Sequence, residues 1–288
     1  MSPPLPVSRR PGAAAAVAVV CLGAVATAAA APPGAVAADP ADPAAAARLF
    51  AAGTWLDLTH PFDAATISWP TEPGFRFEPG VSGTTAKGYF YAANRFATAE
   101  HCGTHLDAPR HFAEGRHTVD LIEPGRLVGE AAVIDVTTAC AGDDAYEVTV
   151  DDLVGWETRH RRQLVDVIVL LRTGWAARWR DRARYLGTSA RGAEAVRHLR
   201  FPGLAPQAAK WLVENRRVKA VGIDTASIDH GPSTRFGSHV ALCAADVPIF
   251  ENLAPLDRLP EEGALVVALP MNVAGGSGAP LRVFVRLP

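Results

Sequence analysis

His101-Cys102-Gly103-Thr104-His105-Leu106-Asp107-Ala108-Pro109-Arg110-His111 is the stretch on which the reading of this chain turns. It gathers three of the nine histidines and an aspartate within eleven residues. Imidazole nitrogens and carboxylate oxygens together suit a divalent ion such as zinc or manganese. His101, His105, Asp107 and His111 all stand at odd positions, so an extended backbone would turn them to one face. A straight strand nevertheless fails. At ~3.3 Å per residue His101 and His105 would lie roughly 13 Å apart, too far for one ion with bonds of ~2 Å. Gly103 and Pro109 both disfavour a helix interior. The chain is therefore expected to fold back near Gly103-Thr104, as a strand ending in a tight loop that presents ligands. A His/Asp set leaves room for water, unlike the closed, cysteine-rich sets of structural zinc sites, and so favours a catalytic ion. By the same alternation Cys102 points away from the ion and serves packing.

The chain has 288 residues, of which 49% are hydrophobic, enough for a substantial core. Its formal net charge is −2 and it has no basic block, so no nucleic-acid surface is expected. Residues 1–38 read as a signal peptide. Arg9-Arg10 opens it, residues 13–31 form a small-residue apolar run, and Ala35-Val36-Ala37 is a cleavage signal. The run is alanine-rich and Pro32-Pro33-Gly34 follows it, so a cleaved peptide is expected rather than a stable membrane anchor. The mature chain would begin within residues 32–39 and be exported, to the periplasm or beyond the cell. Residues 39–48 are a Pro/Ala-rich linker, and residues 49–288 a single catalytic domain. Cys102, Cys140 and Cys243 would remain; three thiols cannot all pair, and no C-x-x-C is present.

Within that domain the class reads as α/β. Residues 164–171, 218–223 and 265–269 are short apolar runs with β-branched members, expected as buried strands. Residues 131–136 and 281–287 are further strands. Residues 151–161 form a helix with an acidic start and a basic end, and residues 206–216 one with proline at its first position. Strand and helix alternate.

Several separate motifs, in order, carry a resemblance. They are His101-Cys-Gly-Thr-His-Leu-Asp-Ala-Pro-Arg-His111, Ser68-Trp69-Pro70, Gly88-Tyr89-Phe90-Tyr91, Leu171-Arg172-Thr173-Gly174-Trp175, Gly222-Ile223-Asp224-Thr225-Ala226-Ser227-Ile228-Asp229, Glu251-Asn252-Leu253 and the glycine-dense residues 275–280. From about Trp55 onward the chain resembles the cyclase family, which holds bacterial kynurenine formamidases and isatin hydrolases. The resemblance implies a swivelling β/β/α fold around a mixed, barrel-like central sheet, and one or two ions of zinc or manganese. It implies His101, His105 and Asp107 as ligands of a first ion, with Asp107 able to bridge two. It implies that His239 and Glu251 complete a two-metal site, that His111 is the catalytic acid/base, and that Trp69 contacts substrate. The implied reaction is hydrolysis of a carbon–nitrogen amide bond in a small aromatic amide. That is arylformamidase chemistry, N-formylkynurenine to kynurenine and formate, with isatin hydrolase-like opening of a cyclic amide or lactone as the alternative. A homo-oligomer is implied as well.

Each residue also has a plainer reading. His111 could be one more ligand. His239, in Gly237-Ser238-His239, could be an ordinary loop residue, Glu251 a surface charge at a strand end, and Trp69 core filler. Residues 275–280 could be a lid, a backbone hydrogen-bonding loop or a simple turn. Asp224 and Asp229, near a strand end, could orient a ligand histidine. A reading of a different class is a non-catalytic metal- or ligand-binding protein on the same fold.

Overall fold

The computed structural model describes residues 53–288, and all structural statements concern these. The expected signal peptide, the whole linker and residues 49–52 of the expected domain lie outside the described residues. Among the described residues no helix is long and apolar enough to cross a membrane.

Twelve strands are present: β1 (Trp55–Asp57), β2 (Arg76–Thr84), β3 (Phe90–Ala97), β4 (His105–Asp107), β5 (Val128–Asp135), β6 (Glu147–Val148), β7 (Ile168–Arg172), β8 (Gly203–Leu204), β9 (Ala220–Ile223), β10 (Ile249–Glu251), β11 (Leu265–Pro270) and β12 (Gly278–Arg286). Three helices have eight residues or more: α1 (Val150–His160), α2 (Pro206–Asn215) and α3 (Gly237–Ala244). The main sheet runs β12-β11-β5-β7-β9-β10-β4, and β4 pairs back onto β12, closing a ring of seven strands with β1 attached outside it on β12. β5, β7, β9 and β10 are mutually parallel; β4, β11 and β12 pair antiparallel. The fold class is thus the expected α/β arrangement with a mixed, barrel-like sheet.

Side-chain parity explains why the parallel strands are apolar throughout. On β5 and β7, Ala131, Val133, Ile168 and Leu170 turn into the ring, where they meet Leu106, Phe250, Val266 and Val283. Their neighbours Ala132, Ile134, Val169 and Leu171 turn outward and are covered by Leu153, Trp156, Ala208, Leu212 and Leu242 of the three helices. A strand buried on both faces has no polar side to show, so it reads as an unbroken hydrophobic run. Complete burial of one such side chain is worth roughly 1.5–3 kcal/mol.

The expected helices are present as α1 and α2. Thr149 caps α1 in a reciprocal capping box with Asp152. Two expectations change. The expected run 164–171 becomes a strand only from Ile168, because Asp166 adopts φ 55° and breaks the extended backbone before it. The second change lies in the opening motif, where the order is reversed. The bend comes first, at Cys102–Thr104, and the strand β4 follows it. Gly103 has φ 62°, and a Cβ there would press on Phe62 and Thr66, so this turn needs glycine. β2 and β3 form a hairpin of their own, paired only with each other.

Candidate active site

β4 spans three residues, all buried. Leu106 points into the ring, so His105 and Asp107 point to its outer face. In the antiparallel pairing with β10, Glu251 stands opposite His105 and Ile249 opposite Asp107. Ile249 belongs to the outer, helix-covered core, and Glu251 two residues on shares its face. The register of two three-residue strands therefore places His105, Asp107 and Glu251 together, buried, beneath the first turn of α3, which carries His239. His239 is a helix residue and not the loop residue of the plainer reading, and Glu251 is buried rather than a surface charge.

The distances are those of a convergent centre. His105 Nε2 lies 3.1 Å from Asp107 Oδ1 and 3.4 Å from Glu251 Oε2. His239 Nε2 lies 3.2 Å from Asp107 Oδ2 and 3.2 Å from Glu251 Oε1. His101 Nδ1 lies 2.6 Å from Asp107 Oδ1. The His111 ring stacks on His101, centroids 3.8 Å apart. Ligand atoms of His105, Asp107 and Glu251 fall within 4.8 Å of one another, and so do those of His101, Asp107 and His111. Asp107 belongs to both groups.

The other side of each ring fixes which nitrogen faces inward. His105 Nδ1 donates to the Gly103 carbonyl at 2.9 Å, and His239 Nδ1 donates to Asp229 Oδ2 at 2.7 Å. A carbonyl or carboxylate oxygen only accepts, so each Nδ1 carries a hydrogen and each Nε2 turns toward the carboxylates. Two lone-pair-bearing groups this close need a proton or a cation between them. In the metal-free protein protons fill that need. Burial opposes charge on His105, but Asp107 and then Glu251 outweigh it and raise its pKa to about 9. His239 is likewise raised well above its usual range by Asp107, Asp229 and Glu251, against burial. Asp107 is held well below the carboxylate range by His105 and His101, although burial opposes ionisation. Burial and the neighbouring Asp107 push Glu251 upward. A buried set of imidazoles and two carboxylates with inward-facing Nε2 atoms fits a divalent ion, which would replace the protons.

His111 differs. Burial, joined by His101, His239 and His105, outweighs Asp107 and lowers its pKa to about 4. It is neutral at pH 7 and lines the cavity beside the centre. That cavity, of about 290 Å³, is walled by Ile67, Trp69, Phe112 and Phe236, with the histidines and carboxylates at one end. Trp69 satisfies both of its readings: it packs on the Ile67–Tyr185 cluster and also forms the cavity wall, edge-on to Phe236.

Residues 275–280 are a pinned buttress. Ser277 O accepts from Ala108 N at 2.9 Å and Gly276 O accepts from Val119 N at 3.0 Å. Ser277 Oγ donates to Glu100 Oε2 at 2.6 Å and lies 3.2 Å from His101 Nε2. A Cβ on Gly278 would collide with the His101 ring. Glu100, Phe112 and Phe236 carry no sequence signal of their own beyond the place of Glu100 and Phe112 beside His101 and His111; Ser277 lies within the glycine-dense stretch. Of the two candidate orienting aspartates, Asp229 does hold His239. Asp224 does not; it accepts from Thr173 N, Thr173 Oγ1 and Gly174 N at 3.0, 2.6 and 3.0 Å.

A closed α/β ring with a buried His–carboxylate centre on its outer face defines a protein with a built site for small-molecule chemistry. Residues 56–230 match the family described as "Putative cyclase", more than half of the chain, and the chain belongs to this family. It is 32% identical to isatin hydrolase A from Ralstonia solanacearum, whose structure superposes with a TM-score of 0.72 over 85% of this chain and 96% of that one. It is 26% identical to a kynurenine formamidase of Bacillus cytotoxicus, over 82% of this chain and 98% of that protein. A solved structure titled as a potential metal-dependent hydrolase with cyclase activity matches at 27% identity and a TM-score of 0.59, over 82% of this chain and all (100%) of that one. These relatives are hydrolases.

Proposed function

We propose that the protein is a metal-dependent hydrolase that cleaves a carbon–nitrogen amide bond in a small aromatic substrate. The observation that carries this reading is the pair of inward-facing Nε2 atoms, on His105 and His239, set against Asp107 and Glu251. His101, His105 and Asp107 would hold a first divalent ion, zinc or manganese, with His239 and Glu251 available to a second. An ion so held polarises a carbonyl and makes water acidic near neutrality. The chain's own residues do the rest. Trp69, Phe112 and Phe236 flank the substrate ring and keep water from the far end of the cavity. His111, neutral at working pH, accepts the proton that water loses on attacking the carbonyl carbon. It then passes that proton to the leaving nitrogen as the carbon–nitrogen bond breaks, giving carboxylate and amine. Asp229 and the Gly103 carbonyl keep the two histidine rings in place throughout.

Two amides fit this chemistry, an open-chain aryl formamide such as N-formylkynurenine and a ring-closed one such as isatin. The fuller similarity to isatin hydrolase supports the ring-closed substrate. For His111 a second reading has its own observation, since its ligand atom falls in one group with those of His101 and Asp107. Kinetics beside elemental analysis of His111→Ala separates the two. As acid/base, the variant keeps its metal and loses about 10²–10⁴-fold in turnover. As ligand, it loses metal and turnover together. Normal metal and normal kcat would remove His111 from the mechanism. Export after cleavage within residues 32–39 is part of the proposal, supported by the basic start and the Ala35-Val36-Ala37 signal. N-terminal sequencing of protein from its native host tests it.

A further inference from the structure

The histidines of the centre are not all held alike. His105 and His239 are anchored through Nδ1 and turn Nε2 inward. His101 is reversed. Its Nδ1 lies 2.6 Å from Asp107 Oδ1, and its Nε2 lies 3.2 Å from Ser277 Oγ. The group behind that serine sets the state of the ring. Ser277 Oγ donates its hydrogen to Glu100 Oε2 at 2.6 Å, and Ser277 N donates to the same oxygen at 3.1 Å. A hydroxyl has one hydrogen to give, so toward His101 this oxygen can only accept. Nε2 therefore carries a hydrogen, and in a neutral imidazole that leaves the lone pair on Nδ1. The His101 side chain is 20% exposed, against 3% for His105 and 5% for His239. Packing holds it least, so its orientation depends most on this hydrogen bond.

We propose that Glu100 and Ser277 are positioning residues that fix the hydrogen of His101 on Nε2 and aim its Nδ1 lone pair into the centre, opposite in sense to His105 and His239. The glycine-dense stretch is built for this contact. In the β12–β4 pairing Gly278 stands opposite Asp107, which brings Ser277 alongside His101. A Cβ on Gly278 would lie 2.4 Å from His101 Cε1, and one on Gly276 would lie 3.1 Å from Glu100 Oε1. The two glycines leave room for the ring and for the carboxylate, and the serine between them joins the two. The carbonyls of Gly276 and Ser277, accepting from Val119 N and Ala108 N, keep the segment in place. Neither Glu100 nor Ser277 lines the cavity, so both act through His101, which does. A hydrogen-bonded group behind a ligand histidine fixes the ring's orientation and raises its basicity. The consequence for ion binding rests on the hydrolase reading above; the state of the ring does not.

Two-bond 1H–15N correlation spectra of histidine-labelled protein, recorded with and without zinc, read the ring directly. Wild type should carry the hydrogen of His101 on Nε2 in both states. Competition with a chelator then reads the consequence. Ser277→Ala and Glu100→Leu should each weaken zinc binding about 10–100-fold. The double variant should lose no more than the weaker-binding of the two, because links of one chain are not additive. Denaturant unfolding of each variant separates a lost contact from a lost fold. A bare Nε2 on His101 in the wild type, in either state, overturns the proposal. So does wild-type zinc affinity in a folded Ser277→Ala, or a double variant in which the two losses add. A wild type that carries the Nε2 hydrogen but takes up no zinc upholds the positioning of the ring and contradicts the hydrolase reading instead.

Discussion

Asp224 and Asp229 are the same residue type, five positions apart, each 1% exposed, and they do different work. Asp224 faces backbone. It takes the amides of Thr173 and Gly174 and ties the end of β7 to the end of β9. Asp229 faces the start of α3. It takes the amides of Ser238 and His239 and the Nδ1 hydrogen of His239. Burial raises the Asp224 carboxyl above its ordinary range. At Asp229 burial acts in the same direction but is outweighed by His239, and the carboxyl is lowered. The contrast teaches that burial alone does not mark a site residue; what the buried charge faces does.

The largest effect should come from removing what Asp229 serves. His239→Ala deletes one of the inward nitrogens and leaves Asp107 and Glu251 facing each other. Turnover should fall about 10³-fold or more, since a catalytic ion supplies several kcal/mol and ~1.4 kcal/mol is tenfold. Elemental analysis should show reduced metal. Unchanged metal and kcat would break the comparison at its root.

Asp229→Ala should act through His239 and cost about 10–100-fold in metal affinity, as loss of a carboxylate behind a ligand histidine does. Competition with a chelator measures it. Asp224→Ala should leave metal affinity alone and lower stability by roughly 1–3 kcal/mol, the cost of unsatisfied buried donors. Denaturant unfolding checks that. If the two variants behave alike in both measurements, the distinction is wrong.

The smallest effect is a difference in slope. Asp229, with a folded pKa below its reference of 3.8, contributes stability above pH 3.8 that is lost as pH falls through the folded value. Asp224, with a folded pKa above 3.8, costs stability at neutral pH, and that cost disappears as pH falls through its folded value. Measured in metal-free protein, the stability of wild type relative to Asp229→Asn should therefore rise with pH below 3.8. Relative to Asp224→Asn it should fall with pH above 3.8. Slopes of the same sign would contradict the assigned environments.

The same contrast explains what was legible in the sequence. β7 and β9 announce themselves because both faces are buried, and His105 and Asp107 because they are close in the chain. α3 was not legible. It follows Phe236 at φ 49°, has no side-chain cap, and is rich in apolar and small residues, so neither a cap nor a polar stripe marks it. His239 and Glu251 entered through family resemblance alone, because their place depends on the β4–β10 register and on α3 crossing above it. Those contacts join residues more than 130 positions apart, as the 132-residue gap between Asp107 and His239 shows. The hairpin escaped for the opposite reason: its apolar side chains are exposed on both faces, so no alternation of buried and exposed positions marks its strands.

The central claim is that the His–carboxylate centre holds an ion on which hydrolysis depends. The most direct measurement is turnover of isatin and N-formylkynurenine by purified protein before chelation, after it, and after return of zinc or manganese, with metal content determined at each stage. One or two divalent ions per chain are expected at the start, then loss of metal and turnover together and recovery of both, with His105→Ala unable to recover. Full turnover in protein shown to be metal-free would contradict it.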